Sequence, residues 1–472
     1  MIEILSILLT LDLPLEFNLA SQLSKIISGV YSISNGGVTQ KNISRQTKEL
    51  GMGHRSVQRF FAEEINWSLL YLSILTYLFP NYGSRIFLLA LDEVVEDKSG
   101  KQTHLIGRFY SSIVGKAIRS VCFHVCSLVE VESGKSIVLS YEQREAPAKA
   151  DKKKKQPNKK NKGNQGSSKK KRETGKKVGR PKGSKSKLQT KEYTGLSRSF
   201  ERLLLLVLPL LSSIGIVPAY VVADGAYASK TYVLILLGLK QPICLISKLR
   251  VNSALYVPYK PKKQAKKRRG RKRKYGEKID YDQLSPSSEY YVKTIEDEER
   301  PEVKIELYQI KEIWTKFLPC KINVVILKAI NTKSGKTGRR VLFSTDLALS
   351  ADLMIKYYAL RFKIEFNFRD AKQYFGLADF RAYKERQVNN SVGLAFFMVN
   401  FSHIIRKKVI EEFQLREASI LDVKALFSAE KYYDRLLKLH KIESSEFKKK
   451  DLVFHLAKVE APNLADAVAQ LT

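Results

Sequence analysis

The stretch Tyr357–Gln373, YYALRFKIEFNFRDAKQ, decides how the rest of the chain is read. Tyr358, Arg361, Glu365 and Lys372 follow one another at spacings of three, four and seven. At about 100° per residue these four side chains fall within an arc of about 60° on a helix. Tyr357, Leu360, Ile364, Phe368, Ala371 and Phe375 fall on a neighbouring arc, the pattern of a face packed on a core. One helix is therefore expected, with a buried stripe that anchors an edge of phenol, guanidinium, carboxylate and ammonium. A Glu flanked by Arg and Lys at such offsets is more often a solvated helix edge with weak ion pairs, so the remaining sequence must decide.

The 472 residues suffice for several domains, and 44% hydrophobic content lets most of the chain fold. The net charge of +36 implies a polyanionic partner, nucleic acid or an anionic surface. Residues 149–187 hold 18 Lys/Arg against 2 acids, and residues 260–278 hold 12 against 1, so these two segments carry +27 of the +36. The body of the protein is thus only mildly basic.

Four cysteines (Cys122, Cys126, Cys244, Cys320) lie in apolar runs, which fits a reducing cytosol rather than a disulfide scaffold. Cys122, His124 and Cys126 alternate as on one strand face, but three groups are fewer than a structural zinc site uses, and buried free Cys is common. The apolar start is interrupted by Glu3 and Asp12 and lacks the basic region of a signal peptide. Runs such as Leu203–Leu211 are too short to span a bilayer, and no membrane partner is expected.

Residues 1–80 are expected to form a helical DNA-binding domain. Within it, VTQKNISRQTKELGMGHRSVQRFFAEEI (residues 38–65) reads as helix, Gly-Met-Gly turn, helix. Val57, Phe60 and Phe61 would point inward, leaving Arg55, Gln58 and Arg59 outward as groups suited to a major groove. An ordinary helical hairpin has the same pattern. Residues 81–250 are expected to form the first part of a core sheet, with Ile86–Leu91 a strand buried on both faces and ending at Asp92. The Lys-rich stretch 149–187 interrupts this part as a flexible loop, since it has too few apolar residues to order itself. Its Gly179-Arg180-Pro181-Lys182-Gly183 element suits an A·T minor groove and equally suits a generic phosphate-attracting tail. Residues 251–345 read as a β-rich basic insertion, 346–408 as the rest of the core with the Glu365 helix, and 409–472 as a C-terminal helical region.

Asp92 follows the apolar strand IFLLAL, and Asp224 follows AYVVA. Open sheets place functional side chains at such strand ends. With Glu365 they make three carboxylates, the oxygen-rich donor set that hard divalent cations need. Two such ions can activate an attacking oxygen and stabilise a leaving one in phosphoryl transfer. Beside Glu365, Arg361 offers a planar fork to phosphate, Lys372 a point charge and Tyr358 a hydroxyl.

Tyr358-x2-Arg361-x3-Glu365-x6-Lys372 resembles the Tyr-Arg-Glu-Lys signature of bacterial insertion-sequence DDE transposases of the IS-four type. LDEVVEDKSGKQTHLIGRFYSS at Asp92 and VVADGAYAS at Asp224 resemble that family's two aspartate regions, and the basic run holding Arg269 and Arg271 resembles a segment of its members. The resemblance spans about residues 40 to 405. It implies an α/β fold: an RNase H-like mixed-sheet catalytic core with a β-rich insertion, an N-terminal helical DNA-binding domain and a C-terminal helical region. It implies Asp92, Asp224 and Glu365 as catalytic metal ligands for Mg2+ or Mn2+, as two ions, with Tyr358, Arg361 and Lys372 on the terminal phosphates. The implied partners are double-stranded DNA, both transposon ends and target, and a second copy in a homodimeric synaptic complex, in the nucleoid-associated cytoplasm of a bacterium. Two motifs depart from the family pattern: Asp-Glu-Val stands where relatives have Asp-x-Thr, and Asp-Gly-Ala-Tyr where they have Asp-Arg-Gly-Phe. Some relatives hold a flipped base on a Trp of the insertion; Trp314, set among apolar residues, reads better as core.

Cut-and-paste transposition is the leading expectation. The alternative is a non-catalytic DNA-binding protein derived from a transposase, which the intact acid triad disfavours. An RNA-associated basic protein is weaker still, for want of an aromatic stacking motif. If residues 149–187 neutralise phosphates, deleting them lowers DNA affinity uniformly and flattens its dependence on salt, read from binding isotherms over a salt series.

Overall fold

The structure, a computed structural model, describes residues 2–34, 36–111, 113–146, 193–261, 273–296, 300–440 and 446–458. The whole stretch 149–187 expected to be a flexible loop, with Arg180 and Lys182, lies outside the described residues, as do Arg269 and Arg271.

The apolar runs in the middle of the chain form β1 (Phe87–Asp97), β2 (Gly107–Ser111), β3 (Lys116–Glu130), β4 (Ser136–Gln143), β5 (Tyr220–Ala223) and β6 (Cys244–Leu249). The alternating segments beyond them form β7 (Tyr256–Pro258), β8 (Tyr275–Lys278), β9 (Tyr291–Glu296), β10 (Val303–Ile313), β11 (Ile322–Asn331) and β12 (Thr337–Ser344). Ten of these strands join one mixed sheet in the order β2-β3-β1-β5-β6-β12-β11-β10-β9, with β4 also paired to β3. β5 runs parallel to β1, and β6 parallel to β5. The fold is therefore α/β with a large mixed sheet. Four strands of the expected insertion extend it: β12 pairs antiparallel with β6 and carries β11, β10 and β9, while β7 and β8 form a separate two-stranded sheet.

The helices are α1 (Ile4–Thr10), α2 (Phe17–Tyr31), α3 (Gln40–Thr47), α4 (His54–Phe60), α5 (Trp67–Leu78), α6 (Gly195–Ser213) and α7 (Lys230–Leu237). After the sheet come α8 (Ala351–Leu360), α9 (Lys363–Tyr374), α10 (Glu385–Phe413), α11 (Ile420–His440) and α12 (Glu446–Lys458). Strand side chains alternate between faces, and β1 feeds two cores. Leu88, Ala90 and Val94 join the core that also holds Ile364, Phe368 and the apolar side of α10. Leu89 and Leu91 join Leu203, Val207, Val233 and Leu236 of α6 and α7 on the other face.

In the N-terminal helices, Thr39 caps α3 by accepting from the Asn42 N–H at 3.2 Å. Gly51 turns the chain at φ 74°, a conformation that costs a residue with a Cβ. Val57 and Phe60 of α4 are buried while Arg55, Gln58 and Arg59 are exposed. α5 leaves this group and packs against α10 and β4. Lys424 of α11 ties α2 to α9 by donating to Val30 O at 3.2 Å and Tyr374 O at 3.4 Å.

α10 passes by length and composition as a membrane span, yet 89% of its apolar window is buried inside the protein. Two asparagines fix its position in that core. Asn400 accepts from Val138 N at 2.9 Å and donates to Val138 O at 2.8 Å, so it completes the hydrogen bonding of β4. Asn390 accepts the Trp67 indole N–H at 2.9 Å. Gly393 lets the same indole approach, because a Cβ there would lie 2.3 Å from the ring. Gly393→Ala is expected to destabilise the protein by about 1–3 kcal/mol through this overpacking, measured by urea unfolding.

Candidate active site

The register of two strands brings the first two acids together. The pairing of β1 with β5 ends at Leu91 opposite Ala223, so Asp92 and Asp224 emerge side by side from adjacent parallel strands. β1 does not stop at Asp92, as the sequence had implied; it continues to Asp97 paired with β3. What stops at Leu91 is its partnership with β5. Asp224 turns into a short 3-10 segment, Gly225–Tyr227, where its carbonyl accepts the Ser247 hydroxyl at 2.9 Å.

The expected single helix is two. α8 ends at Leu360 and α9 begins at Lys363. Between them Arg361 N donates to Tyr358 O, Ile364 N to Arg361 O and Glu365 N to Phe362 O, all at 3.0–3.2 Å. Such i to i+3 bonds wind the chain more tightly than an α-helix. The apolar stripe survives the break: Tyr357, Ile364, Phe368, Ala371 and Phe375 are buried. The polar edge stays on the side of β1.

Arg361 is the centre of this edge. Its Nη1 donates to Asp92 Oδ2 at 3.0 Å and its Nη2 to Glu365 Oε1 at 2.7 Å. Its Nε is buried without a hydrogen-bond partner. Burial pushes the Asp92 carboxyl up to about 7; Arg361 opposes this, while the Glu365 and Asp224 charges add to it. Lys248, at the end of β6, stands 3.6 Å from Asp224 Oδ1. Lys372 pairs at 2.7 Å with Glu96, which is four residues beyond Asp92 and so on the same face of β1. Tyr358 is half-buried, and its ring centre lies 5.9 Å from the Arg361 guanidinium carbon. Among the described residues no three His, Cys, Asp or Glu side chains stand close enough together to hold a metal ion. The Arg361 guanidinium lies between two of the acids.

Behind the acids, the alternating face of β3 is occupied without a metal. His124 Nδ1 meets the Ser199 hydroxyl at 3.0 Å, and Nε2 meets the Tyr227 hydroxyl at 3.1 Å. Both ring nitrogens are used, and Cys122 donates to Glu93 Oε1 at 3.3 Å, so the Cys-His-Cys alternation is a packing face. Glu93 also pairs with Arg144. Trp314 is half-buried beside Tyr275, with Lys274 Nζ 3.2 Å from its ring centre. Arg55, Gln58 and Arg59 stay on the exposed side of α4 and join none of the hydrogen bonds or ion pairs of this site.

Residues 26–305 match the family model described as DDE superfamily endonuclease. The chain belongs to the DDE superfamily endonucleases. The match takes in Asp92 and Asp224 and ends before Glu365. Among solved structures, the chain is similar to a piggyBac transposase seen in a synaptic complex with hairpin DNA, at a TM-score of 0.37 and 9% identity over 94% of this chain and 76% of that one. No curated protein matches it.

Glu96, Lys248 and the His124 network escaped the sequence reading. Glu96 had a signal, since residues four apart on a strand share a face. Lys248 and Ser199 had none, because only the sheet order and the packing of α6 bring them in. Burial lowers the His124 imidazole to about 3 and that of His403 to about 4. Both are neutral in the folded protein and protonate readily only when unfolded. The stability they preserve is therefore present above about pH 6.5 and lost as pH falls toward these values, at about 1.4 kcal/mol per pH unit for each group. His124→Gln is expected to lower stability at neutral pH yet flatten its decline into acid, measured by urea unfolding on both sides of pH 6.5.

Proposed function

We propose that this endonuclease is a DDE transposase of the IS-four type, which cleaves and rejoins DNA strands at the ends of an insertion sequence. One observation carries the proposal: Asp92 and Asp224 stand side by side at the end of a parallel strand pair, and Arg361 links Asp92 to Glu365. The run β4-β3-β1-β5-β6, with β3 antiparallel to β1 and β5 and β6 parallel, supports an RNase H-like core in this half of the sheet.

Asp92, Asp224 and Glu365 offer the carboxylate oxygens that Mg2+ or Mn2+ takes, and would hold such ions once the Arg361 guanidinium moved out from between Asp92 and Glu365. When bound, a pair of such ions supplies Lewis acidity to the attacking and leaving oxygens of a phosphodiester. The protein's own groups do the positioning. Arg361 has a planar fork, and its unpartnered Nε is a donor left for a phosphate oxygen. Lys372 and Lys248 add point charges on either side, and Tyr358 adds a hydroxyl. The exposed Arg55, Gln58 and Arg59 of α4 are the groups for reading the DNA end in its major groove. Arg180, Lys182, Arg269 and Arg271 contribute to phosphate attraction. The homodimeric synapse and the bacterial cytoplasm belong to the same proposal.

A second reading, a DNA-binding protein derived from a transposase, draws support from the guanidinium seated among the acids. One substitution separates the two. Glu365→Gln is expected to reduce cleavage of a labelled transposon end in Mg2+ by at least about 100-fold while end binding persists. A wild type that binds the end and never cuts it favours the second reading. Undiminished cleavage by the variant removes Glu365 from the site.

A further inference from the structure

The antiparallel hairpin of β2 and β3 carries two features that a free surface does not favour. Arg108 and Arg119 are direct cross-strand partners. Both are exposed; Arg108 Nη2 donates to Ala117 O at 2.9 Å and Arg119 Nη1 to Ser99 O at 3.5 Å, so each keeps further N–H donors facing solvent. Like charges facing each other across a strand pair destabilise it. Beyond them the hairpin ends in apolar side chains held out to water: Ile113 is 90% exposed, Tyr110 66% and Val114 49%. Lys116 flanks this tip on β3 and is exposed as well.

The location of the hairpin is set by the strand that carries the first acid. β1 runs from Asp92 to Asp97, where it is opposite Ser120, and the β2–β3 ladder continues from Ser120 out to Lys116 opposite Ser111. At about 3.3 Å per residue the tip projects up to about 30 Å from Asp92 along the strand direction, close to one turn of B-form DNA.

We infer that this hairpin is a DNA-gripping wedge, whose occupant is duplex DNA about one helical turn from the bond held at the acids. Arg108, Arg119 and Lys116 take backbone phosphates, which removes the like-charge conflict between the arginines. Ile113 and Val114 press into the minor groove and part a base step, as apolar wedges do in proteins that bend DNA. Charge selects this occupant: the cationic collar of Arg108, Arg119 and Lys116 around an apolar tip fits a polyanion with a stacked apolar interior. The inference rests on the proposed DNA-cleaving function.

The test uses the full chain and a fluorescently labelled duplex of mixed sequence, titrated over a series of salt concentrations. Arg108→Ala/Arg119→Ala is expected to bind at least about ten-fold more weakly, with a salt slope smaller by about 2. Its melting temperature is expected to hold, since removal of the like-charge pair offsets the loss of two exposed hydrogen bonds to Ala117 O and Ser99 O. Ile113→Ser/Val114→Ser is expected to keep the salt slope but lose the fluorescence gain of 2-aminopurine that wild type causes in the duplex. If wild type binds no duplex, the proposed function fails and takes the hairpin with it. If wild type binds and both variants match it in affinity, slope and 2-aminopurine signal, the hairpin proposal alone is overturned. It is also overturned if Ile113→Asp changes the sedimentation of the DNA-free protein with the salt slope intact, for then the tip meets protein.

Discussion

Carboxylates gathered on one side of a sheet repel one another, and Arg361 is the group that lets Asp92 and Glu365 stay close. It does so from an uncommon position, the tight turn between α8 and α9, where the chain stays helical in sense but closes with i to i+3 bonds. Continuous α-helix would fix Arg361 and Glu365 to one rigid spacing. The tight turn lets the guanidinium reach down to β1 while α9 keeps its own apolar stripe on the core. The geometry of the site thus depends on α8 and α9 being pinned separately. Tyr357 and Met354 pin the first, and Ile364, Phe368 and Ala371 the second.

The same constraint explains why α10 is buried almost all round. α9 has the sheet on one side and α10 on the other, and its carboxylate can hold position only if that backing does not slide. Asn400 and Asn390 serve this end. A buried amide paired to the backbone of β4, or to an indole and two carbonyls, has one register in which all its bonds are made. A slipped register would leave these groups unpaired in a dry core, which is costlier than a slipped leucine.

Much of this was legible in the chain before the structure. The period of Tyr357–Phe375 marked both the buried stripe and the polar edge, because helical period survives a single tightened turn. The apolar runs before Asp92 and Asp224 marked strands, but not their adjacency. That is a fact of sheet order, and β3 and β4 intervene in sequence between β1 and β5. The two-helix break was not visible, since RFKIEF has neither Gly nor Pro to announce it. The joining of β12 to β6 was hidden for another reason. Alternating strands that make a separate small sheet and strands that extend a larger one have the same period, and only edge pairing distinguishes them. Lys248 entered the site through the pairing of β6 with β5 and Lys372 was claimed by Glu96, so the cation pattern read from one helix was incomplete.

Charge acts here on two scales that the sequence keeps apart. The surplus positive charge lies mainly in 149–187 and 260–278, where acids are scarce. In the site each of these cations already faces an acid: Arg361 faces Asp92 and Glu365, Lys372 faces Glu96, and Lys248 faces Asp224. Paired charges contribute little to a long-range field, which salt screens within about 10 Å in any case. Attraction and chemistry are therefore carried by different residues. In the proposed reaction a group that trades one anion for another keeps its own charge, so Arg361 turns from carboxylate to phosphate without changing the net charge it sees. The acids it leaves behind are then more crowded with negative charge than before. A site of this kind favours a phosphate that arrives with compensating positive charge over one that arrives alone.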